Sequence, residues 1–212
     1  RAFLDKHVPS ADELAAEEEA EEAEQLAADG DSDAALAKLA EALAIAPQDD
    51  AIRGDYVKRL LDAGRVADAR RVYEPLAPKA IADVRARALG EWVAAFEAAA
   101  TARPADALAA AIAANKRDFD ARFELARRQL AAGRPTEAMD ELLEILMRDK
   151  AWGEERARKL YVAILELLAK PAPKPAAAEA KGTLEIAGKA AAVASDPVVD
   201  GYRRKLSMVL HA

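Results

Sequence analysis

The sequence predicts an all-α fold: a right-handed helical solenoid of about four helix pairs, closed by a C-terminal capping helix. Three observations predict it. Apolar residues make up 52% of the 212 positions while aromatics supply 5%. Roughly a quarter of the chain is alanine, far above ordinary usage. Beside 33% charged residues, this mixture favours long amphipathic helices over sandwiches and barrels. Glycines then punctuate the chain at a repeat-like interval, Gly30 and Gly64 standing 34 residues apart, each at the end of one helical pattern and before the next. Finally, apolar positions recur at helical spacing, as in Leu36, Leu39, Ala40 and Leu43, in Phe119, Phe123, Ala126 and Leu130, and in Leu142, Ile145 and Leu146. No stretch of useful length alternates with the strict period of a strand.

Taken in order, the first helix opens at a capping box, Ser10 with Glu13. It is strongly acidic: between Ala11 and Asp33 lie eleven of the 38 acids and no base, leaving the rest of the chain slightly basic. Such a run forms a solvated outer face, or a surface that steers a basic partner. Ala35 and Ala69 each follow a turn glycine by five residues, and Ala23, Ala42 and Pro47 complete the first unit. A second unit stops early at Pro75 and Pro78. A clear further unit, Phe119 to Lys150, repeats the register with Ala126, Gly133 and Ala138. Gly64 and Gly133 are 69 residues apart, one more than two periods, so a degenerate unit fits between them. It would pair Val84–Ala100 with a helix opening at Pro104. Asp50 and Asp118 are expected N-caps. Val57 stands where a small residue is expected, which predicts looser packing there.

From Trp152 to Lys170 a helix carries Leu160, Tyr161, Ile164, Leu165 and Leu168 on one face. The Pro/Ala/Lys-rich residues 171–195 then read as an insertion or linker. Residues 196–212 form a last helix opened by Asp196-Pro197, with Val199, Tyr202, Leu206 and Val209 on the face expected to dock on the Trp152–Lys170 helix. The repeat domain is thus expected over 10–170.

Small residues where paired helices cross, glycine at the turn and proline after the second helix make the pattern of a tetratricopeptide repeat (TPR). Two longer blocks, "DARFELARRQLAAGRPTEAMDELLEILMRDKAW" (Asp120–Trp152) and "DPVVDGYRRKLSMVL" (Asp196–Leu210), resemble the C-terminal part of bacterial thioredoxin–TPR fusion co-chaperones, the chaperedoxins. The opening "RAFLDKHVPSADE" is similar to the end of their thioredoxin domain running into the first TPR helix. The resemblance implies that residues 1–9 end a thioredoxin-like domain absent here, in keeping with a chain that opens on Arg1. It implies a cytoplasmic holdase that binds unfolding client proteins and hands them to the chaperonin and the DnaK-type system. It also implies that the C-terminal helix docks to the chaperonin, with Tyr202, Arg203, Arg204, Leu206 and Leu210 as contacts. Residues 171–195 depart from the family's short connection.

No chemistry competes with this reading. The net charge of -7 and pI near 5.1 argue against nucleic-acid binding. The basic pairs Arg70-Arg71, Arg127-Arg128 and Arg203-Arg204 are scattered among acids. Cysteine is absent, and the two histidines, His7 and His211, sit near the termini, so neither thiolate, metal site nor catalytic triad is expected. No phosphate-binding glycine loop occurs. No apolar run approaches the ~20 residues that cross a bilayer. The chain is expected to be no enzyme and to hold no cofactor. Recognition falls instead to the first helix of each pair, where Glu24, Ala27, Lys58, Leu61, Phe123, Arg127 and Leu130 are placed to line a groove. Lys58 and Arg127 there would accept a segment bearing carboxylates, while Phe123, Leu61 and Leu130 also suit a packed core. The alternative is a generic TPR adaptor or a weakly self-associating scaffold.

Overall fold

The computed structural model describes residues 10–169 and 196–211, and the expectations for residues 1–9 and 171–195 lie outside these described residues. Within them are ten α-helices: α1 (Ala11–Ala28), α2 (Ser32–Ile45), α3 (Asp50–Asp62), α4 (Val66–Tyr73), α5 (Val84–Ala100), α6 (Ala105–Ala114), α7 (Phe119–Ala131), α8 (Pro135–Leu146), α9 (Trp152–Leu168) and α10 (Pro197–His211). A 3-10 helix, Glu74–Ile81, joins α4 to α5, and no strand occurs among the described residues. The described residues form an all-helical TPR solenoid, as expected.

Local chemistry sets the boundaries. The Ser10–Glu13 capping box is formed, with the Glu13 carboxylate accepting from the Ser10 N–H at 2.7 Å and the Ser10 hydroxyl from the Glu13 N–H at 3.1 Å. Asp118 caps α7 as expected, but α3 is capped one residue earlier than expected. Asp49 accepts from Ala51 and Ile52, while the Asp50 carboxylate, already in the first turn, pairs with Lys79 of the 3-10 helix. Asp31 and Asp83 cap α2 and α5 in the same way. Pro75 and Pro78 do end α4, turning the chain into the 3-10 segment.

Three helix pairs, α1/α2, α3/α4 and α7/α8, share one hairpin. Gly30, Gly64 and Gly133 adopt φ of +88°, +73° and +72°, where a Cβ is penalised. The next residue, Asp31, Arg65 or Arg134, donates to the carbonyl five residues back at 2.8 to 2.9 Å and closes the helix end. Ala23, Ala35, Ala42, Ala69, Ala126 and Ala138 are buried, as their register predicts. Val57, where a small residue is expected, is fully buried in the main core.

The unit between these pairs departs from the expected hairpin. Helix α6 packs on α7, sealing a small cluster of Leu108, Ile112 and Ala121. Helix α5 instead takes α3, α4, the 3-10 helix, α7 and α9 as neighbours. It buries Ala86, Ala88, Leu89, Trp92, Val93, Ala95 and Phe96, so it is the hub of the main core. Its Gly90 is required by packing: a Cβ there would run into the Tyr73 hydroxyl. By contrast α1 buries only Ala16 and Ala23, and with Leu39, Ala42 and Ile52 they form a thin satellite core at the N-terminal end.

Candidate protein-binding site

The side chains expected to line a groove are drawn together by α9. This helix packs along α5 and α8 and also touches α3 and α7, the first helices of their pairs. Lys58 on α3, half-buried, donates from Nζ to the Leu167 carbonyl at 3.2 Å and so supplies a cation to the C-terminal end of α9. Leu61 and Leu130 are buried in the core. On α1, Glu24 is exposed and Ala27 half-buried.

Phe123 and Arg127 sit where α9 begins. Trp152 meets Phe119 and Phe123 edge-on, with ring centroids 6.1 and 5.5 Å away. The Arg127 guanidinium lies 4.9 Å from the Phe123 centroid, and that of Arg156 lies 5.5 Å from the same ring and 4.5 Å from Trp152. What brings Trp152 and Arg156 onto one side is a left-handed turn at the start of α9. Gly153, Glu154 and Glu155 have φ of +56°, +59° and +63°. A left-handed conformation at a residue with a Cβ costs about 1–2 kcal/mol. The Arg127 Nε is buried and finds no acceptor among the described residues. Burial lowers the pKa of Arg127, nearby Glu124 opposes this, and the charge of Arg156 lowers it further. Glu124 is itself bound by Arg103 at 2.7 Å.

Sequence reasoning missed Trp152 and Arg156 as members of this cluster, because a regular helix from Trp152 onward would not have aimed them as the left-handed turn does. It missed Arg122 too. That side chain, 5% exposed, pairs with Glu141 at 2.5 Å and Glu144 at 3.7 Å and clamps α7 to α8.

The α10 candidates divide by face. Tyr202 and Leu206 point inward with Val199 and are buried, whereas Arg203 and Arg204 are exposed and Leu210 is half-buried. The helix packs on α8 and α9. The buried Tyr161 hydroxyl donates to the Tyr202 carbonyl at 2.8 Å, and the Tyr202 hydroxyl donates to the Thr136 carbonyl at 3.3 Å. Burial, with Asp140 nearby, pushes the Tyr202 phenol up to about 12. Lys150 donates to the Leu210 carbonyl at 3.3 Å. Arg203 reaches Asp200 of its own helix at 3.5 Å.

Among the described residues, clefts on the surface include two beside α9 and α10. One, of about 320 Å³, lies between α5 and α9, where exposed Val84 and Val162 are ringed by the acids Glu91, Glu155 and Glu166 and the bases Arg87, Arg158 and Lys159. Burial raises the pKa of Glu91, partly offset by the charge of Lys159. The other, of about 430 Å³, lies between α8 and α10, where exposed Met147 and Met208 flank Leu143 and Val209. Among the described residues no group of His, Cys, Asp or Glu side chains converges as a metal site would require, and no helix is long and apolar enough to cross a membrane.

Two family models match, both described as tetratricopeptide repeat, one over residues 26–92 and the other over 98–185. No curated protein matches the chain. The first match runs from the end of α1 into α5, and the second from the end of α5 past α9, so over the described residues both fall on the helical stack. Repeats of this kind are generally non-catalytic and bind protein partners. The chain therefore carries a tetratricopeptide repeat region, built as a protein-interaction module.

Proposed function

We propose that this chain is the protein-binding module of a cytoplasmic, thioredoxin-fused co-chaperone, a holdase that retains unfolding clients and docks to the chaperonin and DnaK-type systems. The observation that carries it is the pair of chaperedoxin-like blocks. They fall on α7–α8 and on α10, and these elements pack together through Tyr202 and Thr136. On this reading residues 10–170 hold the client and residues 196–212 make the docking helix. With α10 seated, Arg203 and Arg204 reach a partner first, and Met208 beside them is 66% exposed. Tyr202 and Leu206 reach it only when α10 leaves α8 and α9. The methionine-flanked cleft between α8 and α10 supplies adaptable apolar surface of the kind that tolerates many clients.

The test is capture of purified chaperonin by the full chain and by a version ending before Asp196, with suppression of a heated client's aggregation measured in parallel. Capture that disappears with the truncation supports the reading. If the full chain neither captures chaperonin nor slows aggregation, the chaperone role is lost. One observation favours the alternative of a self-associating scaffold: the α5/α9 cleft carries both acids and bases around an apolar centre, a mixture that lets one patch pair with its own copy across a two-fold axis. Light scattering across a concentration series tests this, and a strict monomer sinks it.

A further inference from the structure

Arginine beside an aromatic ring is ordinary; a half-buried arginine with no carboxylate paired to it is not, because desolvating a cation is costly unless an anion or acceptors compensate. Arg127 is in that position. Its Nε is shielded from solvent and finds no acceptor, and no carboxylate of the described residues pairs with it. The two acids near it are each drawn to another arginine. Glu124 is held by Arg103, and Asp120, 80% exposed, lies 3.7 Å from Arg156. Arg156 adds a second guanidinium against the same Phe123 ring, and Arg117 sits 5.9 Å from Phe119. Folding alone does not favour gathering like charges there.

The backbone supplies an independent observation. Three successive left-handed residues precede Arg156, and two of them are glutamates rather than glycines. Strain of this kind persists where the surrounding structure imposes it, and it concentrates at binding sites. Its effect here is to hold Trp152 and Arg156 against Phe123, the ring that Arg127 also contacts.

We propose that Arg127 and Arg156, set against Phe119, Phe123 and Trp152 at the junction of α7 and α9, bind the carboxylates of an acidic segment of a protein partner. This rests on the reading of the repeats as a protein-binding module and specifies the chemistry of what they bind. A guanidinium lying against a ring keeps its N–H edge free, and that edge matches a planar carboxylate. Asp120 and Glu124 flank the site and disfavour a doubly charged phosphate while tolerating a single negative charge. The half-exposed Trp152 ring offers an apolar surface to the residue beside the acid. An arriving carboxylate would also offset, by its charge, the desolvation and the like-charge repulsion that lower the pKa of Arg127.

The experiment uses the full chain and three fluorescein-labelled peptides: alternating glutamate and leucine, its glutamine counterpart, and its phosphoserine counterpart. Anisotropy gives affinities, and the Nε–Hε resonances of Arg127 and Arg156 report contact directly. The glutamate peptide is expected to bind and to shift both resonances. The glutamine peptide, and the variants Arg156→Met and Arg127→Lys, are expected to bind roughly tenfold more weakly or worse. Arg156 is exposed, so its variant tests the site without disturbing the core. Equal binding of glutamate and glutamine peptides, no binding of either, undiminished binding by both variants, or tighter binding of the phosphoserine peptide each overturns the proposal. Client aggregation measured on the same samples separates the two readings. If aggregation is suppressed but the glutamate peptide does not bind, only this proposal fails. If the peptide binds and aggregation is unaffected, only the chaperone role fails.

Discussion

Truncating Leu206 to alanine separates docking of α10 from stability of the stack. Leu206 is 9% exposed and belongs to a helix held mainly by α8 and α9. Three of its side chains, Val199, Tyr202 and Leu206, are buried, and their burial contributes about 5–8 kcal/mol before the cost of ordering the helix. Leu206→Ala removes about 2–3 kcal/mol of that, at the low end for leucine because the site lies near the surface and can collapse. If the loss falls on docking alone, the undocked population of α10 rises roughly 30- to 150-fold. Hydrogen exchange should then quicken across the amides of α10 while those of α5 and α7 keep their protection. The melting temperature of the stack should barely move, whereas the same loss spread over one cooperative unit lowers it by about 2–4 °C per kcal/mol. The reasoning is refuted if α10 retains its protection while the whole chain melts earlier. In that case α10 is not a separable element, and Tyr202 and Leu206 are not contacts that a partner reaches by displacing it.

Other perturbations test the remaining structural claims. Glu155→Gly should stabilise the chain by roughly 0.5–1 kcal/mol, because glycine tolerates the positive φ. Gly153→Ala should destabilise by about 1–2 kcal/mol, since alanine is strained at a φ of +56°; calorimetric shifts of the same sign for both would rule out the left-handed turn. Lys38 pairs with Glu19 at 2.8 Å, Glu22 at 2.9 Å and Glu41 at 3.5 Å, and Lys38→Met should quicken hydrogen exchange in α1 and α2. That deficit should shrink at high salt, where the repulsion left among the acids is screened; a salt-independent deficit would point to lost packing instead. Burial raises the pKa of Glu91, so the folded state binds its proton more readily than the unfolded state does. Its ionisation therefore removes stability as pH rises from the ordinary glutamate range through the raised value. Glu91→Gln should stabilise the chain in denaturant melts at neutral pH, with an advantage that disappears at acid pH; a constant advantage would contradict the sign.

What could be read in advance follows from how local each determinant is. The capping box, the turn glycines and the crossing alanines act within a helical turn or two, and Ala126, Gly133 and Ala138 take up their expected roles unaided. The partner of α5 was not legible, because it depends on α9, which arrives some sixty residues later and lies along it. The proline-opened helix α6 suits a hairpin by local rules, yet α5 has another long helix to bury against. The inward turn of Tyr202 was legible from its spacing with Val199 and Leu206. The hydroxyl of Tyr161 against the Tyr202 carbonyl was not, since it requires knowing how α9 and α10 cross. Arg127 was legible as a cation out of place in a core, and Arg156 was hidden by a left-handed turn that no helical periodicity anticipates.

The position of α9 changes what a partner meets. A stack of helix pairs presents its first helices to a ligand, and here α9 already touches α3, α5 and α7, with Lys58 spent on its terminal carbonyl. An extended guest laid across those helices would have to displace a helix that buries Ala157, Leu160, Tyr161, Ala163, Ile164, Leu165 and Leu167. Each large apolar side chain among them contributes about 1.5–3 kcal/mol, more in total than a transient partner returns. On the proposed reading, binding falls where α9 ends or is itself covered: the aromatic and arginine cluster at its first turn, and the face it shares with α10. The first place is built and strained, suited to a specific charged contact. The second is held by a terminal helix with three buried anchors, suited to exchange. A module of this kind separates a fixed recognition point from a replaceable one, and the Arg156→Met and Leu206→Ala variants act on them independently.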